Sequence, residues 1–409
     1  MVILSLAIAN ELTTRDYHQR AASTNEQANR MVHAQLENAE VLYAMGMQSA
    51  LQQRWLERHL DALKAQAASS DRAGLWTNLS KTLRLLFQSL MLGLGAWLAI
   101  NNELSSGMVI AGSILMGRAL APVDQLINTW KQSKGARSAY RRLNQLLNEV
   151  PKTEQRLTLP PPQGHLRVES ATLVPPGGSL PVLKSVDLFV PAGETLVIFG
   201  PSAAGKSSLA RAMVGVWPLM AGKVRLDGTE MGHWNREELG PYIGYLPQDI
   251  ELFEGTVAEN IARFGEPDAD KVAAAARLAS VDEMIRYLED GFETRIGVKG
   301  VTLSGGQRQR IGLARALYGD PRLVILDEPN ASLDEQGEAA LMATCKTLKE
   351  RGISLVMVTH RSGLLQLADK LLLLSNGQVK LFGERDAVLQ KMLAMQQQVR
   401  EQVSEKAGG

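Results

Sequence analysis

The distribution of apolar and charged positions changes along the chain and predicts a helical part followed by an α/β part. Residues 17–70 contain no proline and one glycine and are rich in Ala, Gln, Glu, Leu and Arg, a composition that favours long helices. Beyond about residue 165, short Leu/Val or β-branched runs alternate with helical stretches. This alternation indicates an α/β domain with a largely parallel sheet.

Two uncharged runs in the first part predict a membrane hairpin. They cover 85–102 and 104–117 and are 18 and 14 residues long. A helix needs roughly 20 mainly apolar residues to cross a bilayer, so with neighbouring residues we predict spans at about 83–102 and 104–123. Basic residues flank only the outer ends of the hairpin: Arg72, Lys81, Arg84, Arg118, Lys131, Lys134, Arg137, Arg141 and Arg142. This asymmetry predicts cytoplasmic outer ends; a buried hairpin in a soluble domain is the alternative.

Two further segments delimit the domains. The apolar run Met1–Ala9 is too short to cross a bilayer, and we interpret it as the end of a longer span, with a signal peptide as the alternative. Residues 151–165 contain four prolines and predict a linker. We therefore predict a partial, all-helical transmembrane domain over 1–150, a linker over 151–165 and an α/β domain over 166–400.

The composition excludes several classes of protein. Lys and Arg number 44 and Asp and Glu 43, so the net charge of +1 gives no electrostatic case for binding nucleic acid. Cys345 is the one cysteine, which rules out a disulfide within the chain and a cysteine-based zinc site, and agrees with a cytosol-facing protein. With 45% hydrophobic and 21% charged residues, extensive disorder is also excluded.

The segment GPSAAGKS, residues 200–207, fits the phosphate-binding pattern G-x-x-x-x-G-K-[ST]. It lies between a predicted buried strand, Thr195–Phe199, and a predicted helix that begins at Lys206. Two glycines allow the backbone N–H groups to surround a phosphate, while Lys206 would neutralise the β- and γ-phosphates and Ser207 would bind Mg²⁺. The predicted nucleotide-binding residues here are Gly200, Pro201, Ser202, Ala203, Ala204, Gly205, Lys206, Ser207 and Ser208.

Two weaker patterns follow about 100 residues later. Ser304 and the glycines after it precede an amphipathic helical stretch, which predicts an N-cap and a second anion-binding helix start. The apolar run 323–326 predicts a buried strand that ends in Asp327 and Glu328. Asp327 can hold Mg²⁺, and Glu328 can accept a proton from the water that attacks the γ-phosphate. Taken alone, each pattern is common in loops and on surfaces.

Together, the three segments resemble the Walker A, LSGGQ signature and Walker B motifs of an ABC ATPase. The resemblance implies the fold of a P-loop ABC nucleotide-binding domain over 166–400, with ATP and Mg²⁺ as cofactors. It also implies that Gln248, with Glu328 and His360, belongs to the catalytic machinery, and that Gln248 contacts Mg²⁺ and the transmembrane domain. The resemblance further implies a dimer, in which the signature and the D-loop, a short segment after Walker B, of one subunit close over the ATP of the other. The corresponding residues here are Ser304, Gly305, Gly306, Gln307 and Asp334.

Three longer phrases, at 38–47, 244–264 and 327–338, resemble the type I secretion permease/ATPases of the PrtD kind. The resemblance implies a homodimeric, multi-pass protein of the bacterial inner membrane with a cytoplasmic ATPase domain. It implies protein export together with a membrane fusion protein and a TolC-like outer-membrane channel. Alternatives are an exporter of lipid, drug or peptide, a soluble ABC ATPase of translation or DNA repair, and a truncated remnant that only binds ATP.

The chain departs from this family in two ways. Family members have six spans, whereas this chain offers two and the end of another, so we expect its first spans to be missing. ABC domains usually stack adenine on an aromatic residue about 25 positions before the phosphate loop, but no Phe, Trp or Tyr occurs over 141–188. We therefore predict that adenine packs on Val174 or Pro175 and that the base is weakly discriminated.

Overall fold

The computed structural model describes residues 21–36, 38–149, 158–297, 301 and 303–395. The chain forms two compact units, Met1–Pro151 and Lys152–Gly409. The apolar run at 1–9, the first half of the predicted linker and the polar tail from residue 396 lie outside the described residues. The described half of the linker, 158–165, contains no regular secondary structure.

The described part of the first unit is helical, in agreement with its composition. Its helices are α1 (21–36), α2 (Ala39–Ala44), α3 (Gln48–Ile100) and α4 (Ser106–Glu149). The break between α2 and α3 includes Gly46, whose φ of +64° favours glycine. α3 and α4 pack against each other across the turn at 101–105. A Cβ on Gly95 would lie 2.9 Å from Val109 Cγ1, so this glycine permits the close approach of the two helices.

Within the part of the chain that the structure describes, α3 is the one helix that is long and apolar enough to cross a membrane. The mean hydropathy of its most apolar window is 1.6, and none of that window is buried. In α4, the apolar stretch is limited to Gly107–Arg118, which is shorter than a span requires. Length and composition therefore support the first predicted span, while the second stays a prediction.

The second unit contains two main sheets. The antiparallel sheet has the order β2-β1-β4-β5, and the larger sheet has the order β12-β11-β3-β10-β9-β6, in which all neighbours are parallel except β11 and β12. The strands are β1 (Leu166–Leu173), β2 (Leu183–Val190), β3 (Thr195–Phe199), β4 (Ala221–Leu226), β5 (Thr229–Glu230), β6 (Ile243–Leu246), β7 (Gly255–Thr256), β8 (Arg295–Ile296), β9 (Leu323–Asp327), β10 (Ser354–Val358), β11 (Lys370–Ser375) and β12 (Gln378–Glu384). β7 and β8 pair separately. The parallel sheet confirms the sequence-based prediction, whereas the separate antiparallel sheet was not predicted.

The helices of this unit follow the strands as crossover connections and as a helical insertion after β7. They are α5 (Lys206–Met213), α6 (Arg236–Leu239), α7 (Val257–Ile261), α8 (Ala269–Leu278), α9 (Asp282–Arg286), α10 (Gly305–Leu317), α11 (Glu335–Glu350), α12 (Ser362–Leu365) and α13 (385–395). Short 3₁₀ turns occur at Gly240–Tyr242 and Gly291–Glu293.

The larger sheet is buried on both faces. Along β3, Val197 faces a core that contains Ile311 of α10, while its neighbours Leu196 and Ile198 face a core that contains Leu209 of α5. This explains why the strand is a continuous apolar run and not an alternating pattern. Because β3, β9 and β10 are parallel and in register, the segments that follow them meet at one edge of the sheet, which is where such sheets bind ligands.

Candidate nucleotide-binding site

The phosphate loop connects β3 to α5 and depends on two glycines. Gly200 has a φ of +148° and Gly205 a φ of +99°. A Cβ on Gly200 would overlap the carbonyl oxygen of Leu374, and one on Gly205 would press against Val182 and Leu183. Only glycine therefore fits at these two positions, and the loop can curl tightly enough to aim backbone N–H groups inward.

The Lys206 ammonium lies inside the curl of this loop. Its Nζ donates to the carbonyl oxygens of Gly200 and Pro201, each at 2.9 Å. The residue is 6% exposed, and burial lowers the pKa of the ammonium, opposed by the nearby carboxylates of Glu328 and Asp327. Because its hydrogen-bond acceptors among the described residues are neutral carbonyls, this buried cation would gain strongly from a phosphate as partner.

Asp327, at the end of β9, has the surroundings of a divalent-cation ligand. Ser207 Oγ donates to Asp327 Oδ1 at 3.2 Å, while Oδ2 is buried and has no hydrogen-bond partner among the described residues. Asp327 is 1% exposed, and burial raises the pKa of its carboxyl group, with a further contribution from Glu328. An unpartnered buried carboxylate oxygen beside a serine hydroxyl fits Mg²⁺, which prefers hard oxygen ligands.

The Glu328 carboxylate joins two residues from neighbouring strand ends. His360 Nε2 lies 3.1 Å from Oε1, and Gln248 Nε2 donates to Oε2 at 3.3 Å. These three residues and the phosphate loop line one cavity of about 400 Å³. The fold thus brings together predicted residues that are more than 150 positions apart in sequence, in an arrangement that can hold a phosphate chain and a water molecule beside a carboxylate.

The signature residues lie elsewhere in the same chain. Ser304 caps α10 as predicted: its Oγ accepts from the Gln307 N–H at 3.2 Å, and Gln307 Oε1 accepts from the Ser304 N–H at 2.8 Å. Gly305 lines a second cavity, together with Gln248, and none of Ser304, Gly305, Gly306 or Gln307 lines the cavity of the phosphate loop.

Asp334 is also separate from the phosphate loop. Its Oδ1 accepts from the Gly337 N–H at 2.8 Å, which caps α11, and lies 3.2 Å from Arg310 Nη2. Within one chain, Asp334 therefore acts in helix capping and ion pairing. A nucleotide-binding role for Asp334 and for the signature residues requires a second copy of the chain.

A family model described as "ABC transporter" matches residues 183–331. Over 398 residues the chain is 43% identical to the type I secretion system ATP-binding protein PrsD of Rhizobium meliloti (strain 1021). The matched region covers 96% of this chain and 68% of PrsD. The chain belongs to the ABC transporters of the type I secretion kind. This confirms the predicted family, the ABC exporter fold and ATP hydrolysis as the enzymatic activity.

More distant ABC relatives share less of their length with this chain. The leukotoxin translocation ATP-binding protein LktB of Mannheimia glucosida is 32% identical over 73% of this chain and 42% of LktB. The ATP-dependent lipid A-core flippase of Salmonella typhimurium is 32% identical over 68% of this chain and 48% of the flippase. The solved structure of a bacterial Atm1-family ABC exporter with ATP bound superposes with a TM-score of 0.82 at 23% identity. The match covers 97% of this chain and 71% of that exporter chain, which supports the exporter fold.

The structure adds two residues to those predicted from the sequence, one beside the phosphate-loop cavity and one behind Glu328. Val182, and neither Val174 nor Pro175, borders the cavity of the phosphate loop. Gln309 is buried on α10 and reaches the backbone at Glu328. The sequence signal for Gln309 was a polar glutamine on the apolar face of a predicted amphipathic helix. No sequence signal marked Val182, because a valine before a strand is common.

Proposed function

We propose that this chain is the ATP-hydrolysing subunit of an exporter that secretes proteins across the inner membrane of a Gram-negative bacterium. The observation that carries the proposal is the 43% identity to PrsD, which extends over 96% of the chain and so includes the helical unit as well as the ATPase unit. The relatives that export lipids or drugs are 31–34% identical and match 68–76% of the chain.

The arrangement of side chains supports a division of labour during hydrolysis. Lys206 and the loop N–H groups would hold the β- and γ-phosphates. Ser207 and Asp327, with Gln248, would hold Mg²⁺, which when bound neutralises charge on the phosphates. Glu328 would accept a proton from the attacking water, because its carboxylate lies in the same cavity as the phosphate loop. His360 would hold that carboxylate and contact the γ-phosphate.

ABC exporters are dimeric, and a homodimer would complete the site. A single chain leaves the N-terminus of α10 away from the phosphate loop, although its capped start offers N–H groups to an anion. We propose that Ser304, Gly305, Gly306, Gln307 and Asp334 of one copy close over ATP bound to the other. A membrane fusion protein and a TolC-like outer-membrane channel are the proposed partners across the cell envelope, and the ATPase unit would be cytoplasmic.

Deletion of the gene, with quantification of extracellular proteins by mass spectrometry, tests the exported substrate. We expect one or more proteins to disappear from the culture medium and to accumulate in the cells. The wild-type gene should restore secretion, whereas a gene encoding Glu328→Gln should not. An unchanged set of extracellular proteins, combined with altered lipid A transport or drug sensitivity, would instead support the alternative of a lipid or drug exporter.

A further inference from the structure

Gln309 lies in the second turn of α10 and uses both atoms of its side-chain amide. Its Nε2 donates to the carbonyl oxygen of Glu328 at 3.3 Å, and its Oε1 accepts from the Ser332 N–H at 3.0 Å. The residue is 4% exposed, so water does not replace these hydrogen bonds easily. The amide therefore ties the helix that begins at Ser304 to the segment that carries Glu328.

The backbone at Glu328 needs such support. Its φ is +50°, in the left-handed region that residues other than glycine rarely adopt. The Glu328 N–H donates to the Val358 carbonyl oxygen at 2.9 Å, and the Glu328 carbonyl oxygen accepts from the Ala331 N–H at 3.2 Å as well as from Gln309. An unfavourable conformation persists only where the surroundings hold it, and the Gln309 amide supplies the side-chain contact to this peptide.

This backbone conformation decides where the Glu328 carboxylate points. The side chain reaches Gln248 at 3.3 Å and His360 at 3.1 Å in its present direction. A rotation of the Glu328 backbone would move the carboxylate away from both residues and from the cavity of the phosphate loop. General-base catalysis depends on hydrogen-bond reach to the water, so a small displacement would lower the rate.

Two other contacts join α10 to the same segment. A Cβ on Gly306 would lie 2.9 Å from the Ser332 carbonyl oxygen, which shows how closely the helix start approaches this backbone. One turn further along, Arg310 Nη2 lies 3.2 Å from Asp334 Oδ1. A displacement of α10 would therefore shift residues 328–334 as well. Among these contacts of α10, that of Gln309 is made to Glu328 itself.

We propose that Gln309 is a positioning residue for ATP hydrolysis: it holds the Glu328 backbone in its left-handed conformation and links the signature helix to the general base. The proposal rests on the proposed role of Glu328 as that base. It adds a path by which engagement of Ser304 with a second copy's ATP changes the orientation of Glu328 in its own chain. Neither the phosphate loop nor the signature alone provides this link.

Substitution of Gln309 by methionine tests the proposal in the 409-residue chain, with kcat and KM for ATP measured in detergent. Methionine keeps the length of the side chain and removes both hydrogen bonds. We expect kcat to fall about tenfold, the loss that corresponds to one well-placed hydrogen bond, while the affinity for ATP changes less than twofold. Gln309→Glu retains an acceptor for the Ser332 N–H and loses the donor to Glu328, so its kcat should fall similarly even if Gln309→Met folds poorly.

A double-mutant cycle separates positioning from general loss of stability. In single-turnover measurements, Gln309→Met should lower the rate of ATP hydrolysis about tenfold in the parent. In the Glu328→Gln background, where no carboxylate is left to position, it should lower this rate less than twofold. Thr344→Val is the matched control: the buried Thr344 hydroxyl on α11 donates to the carbonyl oxygens of Leu278 on α8 and Ala340 on α11, and the residue does not contact Glu328. Its kcat should equal that of the parent.

Two results would overturn the positioning role. One is a parental kcat in both Gln309 variants, and the other is an equal loss from Gln309→Met in the two backgrounds. Near-parental turnover of Glu328→Gln alone would instead overturn the role of Glu328 as base and the positioning role with it. The single and double variants thus distinguish a failure of this inference from a failure of the proposed mechanism.

Discussion

At the scale of single residues, the proposed mechanism assigns phosphate binding and proton transfer to different side chains. Lys206 is enclosed by loop carbonyls, and Asp327 pairs with Ser207, whereas Glu328 contacts Gln248 and His360. We therefore expect binding and hydrolysis to depend on different side chains, although Asp327 and Glu328 are adjacent in sequence. Substitutions should separate the two steps.

Glu328→Gln should lower the rate of ATP hydrolysis by about 10²- to 10⁴-fold, the usual cost of removing a general base. The amide keeps the shape of the side chain but cannot take the proton, so ATP affinity should stay close to that of the parent and an ATP-dependent dimer should accumulate. Turnover assays, nucleotide titrations and light scattering measure these three quantities.

Two controls accompany that variant. Lys206→Ala should lose ATP affinity, and Asp327→Asn should lose the Mg²⁺-dependent part of binding, because each removes a group placed at the phosphates or the cation. If Glu328→Gln lost ATP affinity as strongly as Lys206→Ala, the assignment of Glu328 as base would be wrong, and His360 would become the first candidate.

Val182 borders the phosphate-loop cavity, where no aromatic ring but His360 is present among the described residues, and an aliphatic surface stacks on a base less strongly than an aromatic ring. We therefore expect ATP to be preferred over GTP by less than about a hundredfold, equivalent to ~2.7 kcal/mol. Competition titrations with the two nucleotides in the presence of Mg²⁺ give this ratio. A larger preference would show that another residue recognises the base.

At the scale of elements, α10 is a capped helix whose start is proposed to face the ATP of a second copy. The capping box between Ser304 and Gln307 satisfies N–H groups of the first turn within the chain. α7 has the same motif, formed by Thr256 and Glu259, at a position that does not line the phosphate-loop cavity. A comparison of cap substitutions in α7 and α10 can therefore distinguish an effect on helix stability from an effect on ATP-dependent dimerisation.

Ser304→Ala should lower the free energy of unfolding by about 1 kcal/mol, the typical value of an N-cap. It should also weaken ATP-dependent dimerisation without weakening ATP binding to one chain. Thr256→Ala should cause a similar loss of stability and leave dimerisation unchanged. Thermal unfolding measures the stability, and light scattering measures the dimerisation. Equal dimerisation in both variants would contradict a role for Ser304 at a second copy's ATP.

At the scale of the whole molecule, the ATPase unit has its own two cores and contains the phosphate-loop cavity. Its N-terminal edge is held by Asp227, which accepts from the backbone N–H groups of Gln163, Gly164 and His165 at 2.6–3.3 Å. Ser354 Oγ also donates to the Gly164 carbonyl oxygen at 2.8 Å. The residues just before β1 therefore belong to this unit.

A fragment that begins at Thr158 should be soluble and bind Mg·ATP without the helical unit. A fragment that begins at Leu166 should unfold at a lower temperature, because the Asp227 carboxylate loses its three N–H donors and the Ser354 hydroxyl loses its acceptor at Gly164. Expression of both fragments, followed by thermal unfolding with and without Mg·ATP, checks this. Insolubility of both would contradict the domain boundary.

Local sequence determined the elements around the site. The run 195–199 became β3 with the predicted bounds, and Ser304 became the N-cap of α10, because strand formation here depends on continuous apolar residues and capping on neighbours three positions away. The family motifs likewise identified the ATPase. Two glycines and a lysine at fixed spacing are enough for a phosphate loop, whose geometry is local.

Tertiary structure decided the contacts between distant segments. Glu328 meets Gln248 and His360 only because β6, β9 and β10 end at one edge of the sheet. The positive φ of Glu328, its support by Gln309 and the place of Val182 beside the phosphate loop depend on packing across the sheet, which no local pattern encodes. The capping of α11 by Asp334 was equally hidden, since an acid after a strand serves a helix or a ligand according to its three-dimensional neighbours.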